Sequence, residues 1–111
     1  MHCSHNNIIT LPETLPPNLE SLVCGTNPLI SLPTVLPTTL TFLCCANSRL
    51  TFLPENLPLT LEYIFCNNNQ LTDLAISLTR LINIKYFYHI NNPIQHIPPQ
   101  VRRWLNALEH P

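Results

Sequence analysis

The sequence contains one glycine in 111 residues and few charges. With a single glycine there can be no glycine-rich loop to cradle a phosphate. Charged residues make up 10% and the formal net charge is −1, so the basic footprint of a nucleic-acid binder is missing. No apolar run approaches the ~18 residues that would suggest a membrane span. The opening "MHCSHNN" has neither the basic start nor the apolar run of a signal peptide. Thirteen asparagines produce no N-x-S/T sequon, which favours a chain outside the secretory pathway. The five cysteines include no C-x-x-C pair, and no serine or cysteine sits in a nucleophile motif. These absences argue against enzyme, nucleic-acid and membrane functions, and they imply no cofactor.

What the chain does contain is apolar and repetitive. Hydrophobic residues reach 45%, enough to argue for a packed core despite twelve prolines. Aligned on LxxLxCxxNxLxxLP, one copy reads Leu19, Leu22, Cys24, Asn27, Leu29, Leu32, Pro33. The next, 21 residues on, reads Leu40, Leu43, Cys45, Ser48, Leu50, Leu53, Pro54. A third follows after 21 residues from Leu61, and a fourth after 23 from Ile84. A partial copy, Cys3, Asn6, Ile8, Leu11, Pro12, lies in residues 1–18.

A unit this short cannot bury its apolar side alone, whereas stacked units bury a continuous core. The expected fold is an α/β repeat, a right-handed solenoid of one domain over residues 1–111. LxxLxC supplies a short strand whose alternate residues point inward, and neighbouring strands align in parallel. The Asn position marks the bend, where a carboxamide can bond backbone groups that no sheet reaches. Proline-rich returns such as "LPTVLPTT" favour a mostly extended convex side. Leu78, Leu81, Ile84 and Phe87 are spaced three apart without proline, which predicts a helical turn near Ile76–Leu81. Val101, Trp104, Leu105 and Leu108 predict an amphipathic capping helix over about 99–110.

These residues resemble a leucine-rich repeat protein. "LPPNLESLVCGTNPLISLP" is similar to the short bacterial type, LPxxLxxLxVxxNxLxxLP, of secreted effectors of animal pathogens, and similar repeats occur in giant viruses of amoebae. Cysteine replaces the usual valine, and the separate catalytic domain of those effectors has no counterpart in this sequence. The resemblance implies a non-enzymatic recognition scaffold for a protein partner. It also admits host cell cytoplasm as a location.

Cys3, Cys24, Cys45 and Cys66 share one inward position, with His89 in the last turn. A free cysteine packs as a small hydrophobe. Tetrahedral zinc needs ligands that converge, and a column with one sulfur per turn does not supply them, so no metal site is expected. Reduced thiols suit an intracellular, reducing compartment. Cys44 precedes Cys45 and so points to the opposite, concave face.

Two outward columns line that face: Ser21, Phe42, Tyr63, Tyr86, and His2, Val23, Cys44, Phe65, Tyr88. All three tyrosines are here, with two of the four phenylalanines. Aromatics suit strands regardless of function. An open aromatic patch also marks an interaction site. The candidate partner-binding residues are Phe42, Cys44, Tyr63, Phe65, Tyr86 and Tyr88, with Thr26, Asn47, Asn68 and Asn91 as a polar rim. The alternatives are a structural or self-assembling repeat protein, or a fragment of a longer one. His96 and His110 read as surface residues. Charges divide into −4 over residues 1–75 and +3 over residues 76–111. A monomer with residues 1–7 frayed is the favoured state, and an end-to-end dimer is the alternative.

Overall fold

The computed structural model describes residues 1–109. Four strands form one parallel sheet in sequence order: β1 (Ser21–Val23), β2 (Phe42–Cys44), β3 (Tyr63–Phe65) and β4 (Tyr86–Tyr88). Each strand pairs with the next in the register of the repeat, with Leu22, Leu43, Ile64 and Phe87 as successive partners. All four central residues are buried. The leucines at 29, 40, 50, 61 and 71 are fully buried beside them, so the core runs through every turn. This is the solenoid of stacked turns and parallel strands that the period predicts.

A tight turn precedes each of the first three strands. Leu19, Leu40 and Leu61 donate to the carbonyls of Pro16, Pro37 and Pro58 at 3.1–3.2 Å. Proline opens each turn, and in the first turn Pro17 also takes the second position, where its fixed φ suits the bend. Threonine hydroxyls then tie one turn to the previous one: Thr39 Oγ1 donates to Leu19 O at 2.7 Å and Thr60 Oγ1 to Leu40 O at 2.6 Å. The proline-free segment of the last turn is a 3₁₀ helix, Ile76–Arg80, which buries Leu78. The capping helix α1 spans Pro99–Glu109 and packs on both the 3₁₀ helix and β4. Val101 and Leu105 are buried, and the Trp104 ring meets Phe87 edge-on at 5.4 Å. His110, expected at the end of this helix and at the surface, lies outside the described residues.

Residues 1–7 have partners that the sequence reading did not assign. Val23 N donates to Met1 O and Cys3 N to Val23 O, both at 2.8 Å, and Asn6 N donates to Asn27 Oδ1 at 2.9 Å. The partial copy is thus seated on the sheet as a further turn, with an isolated bridge from His2 to Val23.

After each of the four strands, and after the bridge at His2, the backbone turns through a left-handed residue: His5, Thr26, Asn47, Asn68 and Asn91 have φ of 55–60°. Asparagine tolerates this conformation, whereas a β-branched threonine is strained in it. Gly25, one residue earlier, is required by space instead. A Cβ there would sit 2.5 Å from Ala46 O. Gly25→Ala should therefore lower the urea midpoint by a shift worth ~1–3 kcal/mol, the range for forced overpacking.

The bends are held by asparagine. Asn69 Nδ2 donates to the carbonyls of Cys45, Cys66 and Asn67 at 3.0–3.3 Å, while its Oδ1 accepts from Leu50 N at 3.1 Å. Asn27 and Asn92 repeat this pattern on their own turns. Each carboxamide serves its own turn and the preceding one. Ser48 is the gap: its hydroxyl reaches only Ala46 O, at 3.4 Å. Asn69→Ala should cost roughly 3 kcal/mol, because several buried backbone groups lose their partner at ~1 kcal/mol or more each. Ser48→Asn should add about 1 kcal/mol by the same reasoning. Urea unfolding of both variants checks the pair.

Candidate functional site

The strand register sets two columns on the concave face. Ser21, Phe42, Tyr63 and Tyr86 are partners in one, and Val23, Cys44, Phe65 and Tyr88 in the other. His2 extends the second column through its bridge to Val23. Alternation explains the placement. With Leu43, Ile64 and Phe87 pointing into the core, the residues on either side of each must point out.

The five rings are in contact. Phe65 is the hub, with ring centroids 5.5 Å from Phe42, 5.4 Å from Tyr86 and 6.4 Å from Tyr88. Phe42 meets Tyr63 at 6.1 Å, and Tyr86 stacks on Tyr88 at 5.8 Å with planes 14° apart. Such pairs contribute ~0.5–1.5 kcal/mol beyond the area they bury. The rings shelter one another, leaving Phe42, Phe65 and Tyr88 half-buried. Tyr63 and Tyr86 stay 36% and 45% exposed. The structure thus brings all six sequence-derived candidates onto one face, with Cys44 half-buried among them.

The polar edges of the face differ. On one side Asn68 Nδ2 donates to Asn47 Oδ1 at 2.8 Å. On the other, Lys85 Nζ lies 3.0 Å from Glu62. That hydrogen bond, followed by the carboxylate charge, raises the Lys85 pKa above its ordinary value. The sequence reading missed this pair. Its signal was present, since Glu62 and Lys85 precede β3 and β4 at the same repeat position.

Beneath the face lie the thiols. Cys24, Cys45 and Cys66 are fully buried, and Cys3 is half-buried. Cys24 Sγ donates to Cys44 O and Cys66 Sγ to Tyr88 O, both at 3.5 Å. Burial pushes the Cys24 and Cys66 thiols up to about 12, and the neighbouring sulfurs add to the effect. Burial also holds Cys45 well above the usual thiol range. A high pKa keeps these sulfurs protonated and unreactive. His89 is half-buried, and its ring lies 5.5 Å from that of Phe87. Among the described residues no group of three His, Cys, Asp or Glu side chains is placed to hold a metal ion. No helix among them is long and apolar enough to cross a membrane.

The overall fold is that of solved leucine-rich repeat structures. A Leptospira interrogans LRR protein matches with a TM-score of 0.82 and 29% identity, over 97% of this chain and 28% of that one. The LRR domain of a Shigella effector matches with a TM-score of 0.69 and 27% identity, over 97% of this chain and 54% of that one. The chain thus spans about a quarter and about half of the two proteins' lengths. No family model matches the sequence, and no curated protein is significantly similar to it. This chain is a leucine-rich repeat protein.

The thiol burial has a consequence at high pH. In the unfolded chain the thiols ionise near 9, whereas in the folded chain Cys24 and Cys66 hold their protons to about 12. Above pH 9 the folded state therefore binds more protons than the unfolded state, and stability falls as pH rises. The contribution is complete below pH 9 and is lost toward pH 12. Cys45→Val should change stability at neutral pH by less than about 1.5 kcal/mol, as shape-conserving swaps do. It should also flatten the alkaline decline. Urea midpoints of wild type and variant, measured at neutral pH and through the alkaline range, test both effects.

Proposed function

We propose that this chain is a non-enzymatic scaffold that binds a protein partner through its concave face. The anchors are Phe42, Tyr63, Phe65, Tyr86 and Tyr88, with Cys44 in the second column beside them. Residues 1–111 act as one repeat domain with units from Leu19, Leu40, Leu61 and Ile84. The observation that carries the reading is the unbroken contact of five rings on one open sheet face. Aromatic area left in water at this density marks an interaction surface, and tyrosine is a frequent interface anchor. The face is open rather than enclosed, which suits a macromolecule better than a small ligand. The likeness to LRR proteins, one of them a Shigella effector domain, supports a protein-interaction role. The buried column of free thiols supports a reducing, intracellular setting, which includes the cytoplasm of a host cell.

The test separates binding from folding. Tyr63→Ala and Tyr86→Ala should each weaken partner binding at least tenfold, since an anchor contributes ~2 kcal/mol or more. Stability should change by about 1 kcal/mol for Tyr63→Ala, with one ring contact, and by ~1–2 kcal/mol for Tyr86→Ala, with two. Ile64→Ala, in the core, should cost ~2–5 kcal/mol. Affinity capture followed by mass spectrometry and urea unfolding give the two readouts. Equal stability losses for Tyr86→Ala and Ile64→Ala would make the face structural. A light-scattering mass that rises with concentration, and that Tyr63→Ala abolishes, would favour self-assembly.

A further inference from the structure

Phe52 interrupts a column of polar residues. Its equivalents one turn away on either side are Ser31 and Asp73. The ring is 58% exposed, the largest apolar side chain left open on the stretch after the bend. It stands between two clefts. One, of about 470 Å³, is lined by Glu13, Ser31, Leu32 and Glu55. The other, of about 310 Å³, is lined by Glu55, Asp73, Leu74 and Ser77. Leu53 and Pro54 line both. Leu32, Leu74 and Pro54 are buried, so the floor is apolar while the rim is acidic. None of the ring-bearing residues of the concave face lines either cleft.

Among the described residues the rim carries charge of one sign without an ion-pair partner. Glu13, Glu55 and Asp73 are exposed, and the ion pair found among the described residues is Lys85–Glu62, elsewhere on the molecule. Glu13 Oε2 accepts from Thr34 Oγ1 at 3.2 Å and Thr34 N at 3.4 Å, which leaves its other oxygen open. Among the described residues no lysine or arginine lines either cleft. An exposed aromatic ring attracts a cation over its face, and carboxylates beside it act in the same sense. Arginine fits this combination better than lysine. Its planar guanidinium stacks on a ring and still presents a fork of donors to a carboxylate.

We propose that this flank docks an extended, arginine-bearing segment of a partner protein. One guanidinium stacks on Phe52 and bonds Glu55 or Asp73, and an apolar side chain next to it enters the cleft floored by Leu53 and Pro54. The site is separate from the concave face and does not depend on that face binding anything.

The experiment is an NMR titration of the isotope-labelled full chain with a blocked peptide of alternating arginine and leucine. Amide shifts should move at Phe52–Asn56 and Thr72–Leu74 and leave Tyr63–Phe65 in place. Phe52→Leu keeps the position apolar but removes the π-face, and it should weaken binding roughly fivefold. Glu55→Gln should weaken it similarly, as should about 0.5 M salt, which screens exposed charges. A lysine-for-arginine peptide should bind more weakly, and a glutamate-for-arginine peptide should not bind. Four results would overturn the proposal: no shifts, shifts confined to the concave face, equal affinity for Phe52→Leu, or equal affinity for the glutamate peptide. Shifts at the same residues on concentrating the chain alone would make a second copy the occupant, and would also overturn it.

Discussion

Each turn of the solenoid bends where no sheet can reach its backbone, and in all but the turn of Ser48 the carboxamide of one asparagine meets that need. Asn27, Asn69 and Asn92 each donate to carbonyls on two successive turns and accept an amide from the earlier one. Buried backbone groups without partners are costly, so this contact decides where a turn can close. It also fixes the stacking register, because one side chain spans both turns. The parallel strands, three residues each, are too short to do this alone.

With the polar needs of the bends met inside, the other positions are free to differ. Inward positions hold leucine, isoleucine and small thiols, which fill the core. Outward positions carry no structural duty of that kind, and five of them hold aromatic rings. The flank after the bend is a third surface, with its own chemistry of one phenylalanine among carboxylates. A solenoid can therefore present two unlike surfaces on one frame, and a substitution on either surface need not disturb the core.

Much of this was legible in the sequence because the repeat has two nested periods. The spacing of about 21 residues places the turns, and the alternation within LxxLxC assigns inward and outward faces. That logic located Cys24, Cys45 and Cys66 inside and Tyr63, Phe65, Tyr86 and Tyr88 outside. The lack of proline near Leu78 predicted a helical turn near Ile76–Leu81, and the turn is a 3₁₀ helix at Ile76–Arg80. Other features were hidden because they depend on neighbouring turns. Thr26 adopts a left-handed backbone that its β-branch disfavours, since the stack imposes the bend. Residues 1–7 read as a loose end, yet the first sheet strand supplies partners for Met1 and Cys3. Phe52 falls at a variable position of the repeat, so the spacing alone did not single it out. Its exposure is set by the turns on either side, which carry Ser31 and Asp73.

The dependence of the fold on the asparagine contacts is open to one direct measurement. Native-state hydrogen exchange reads the free energy at which each amide opens. The amides of Leu50 and Leu71 donate to Asn69 Oδ1 and Asn92 Oδ1, both at 3.1 Å. If these contacts couple the turns, both amides should exchange only through the opening that also exposes the sheet amides of Leu43 and Ile64. Exchange of Leu50 and Leu71 through local fraying, several kcal/mol below that shared opening, would contradict the account.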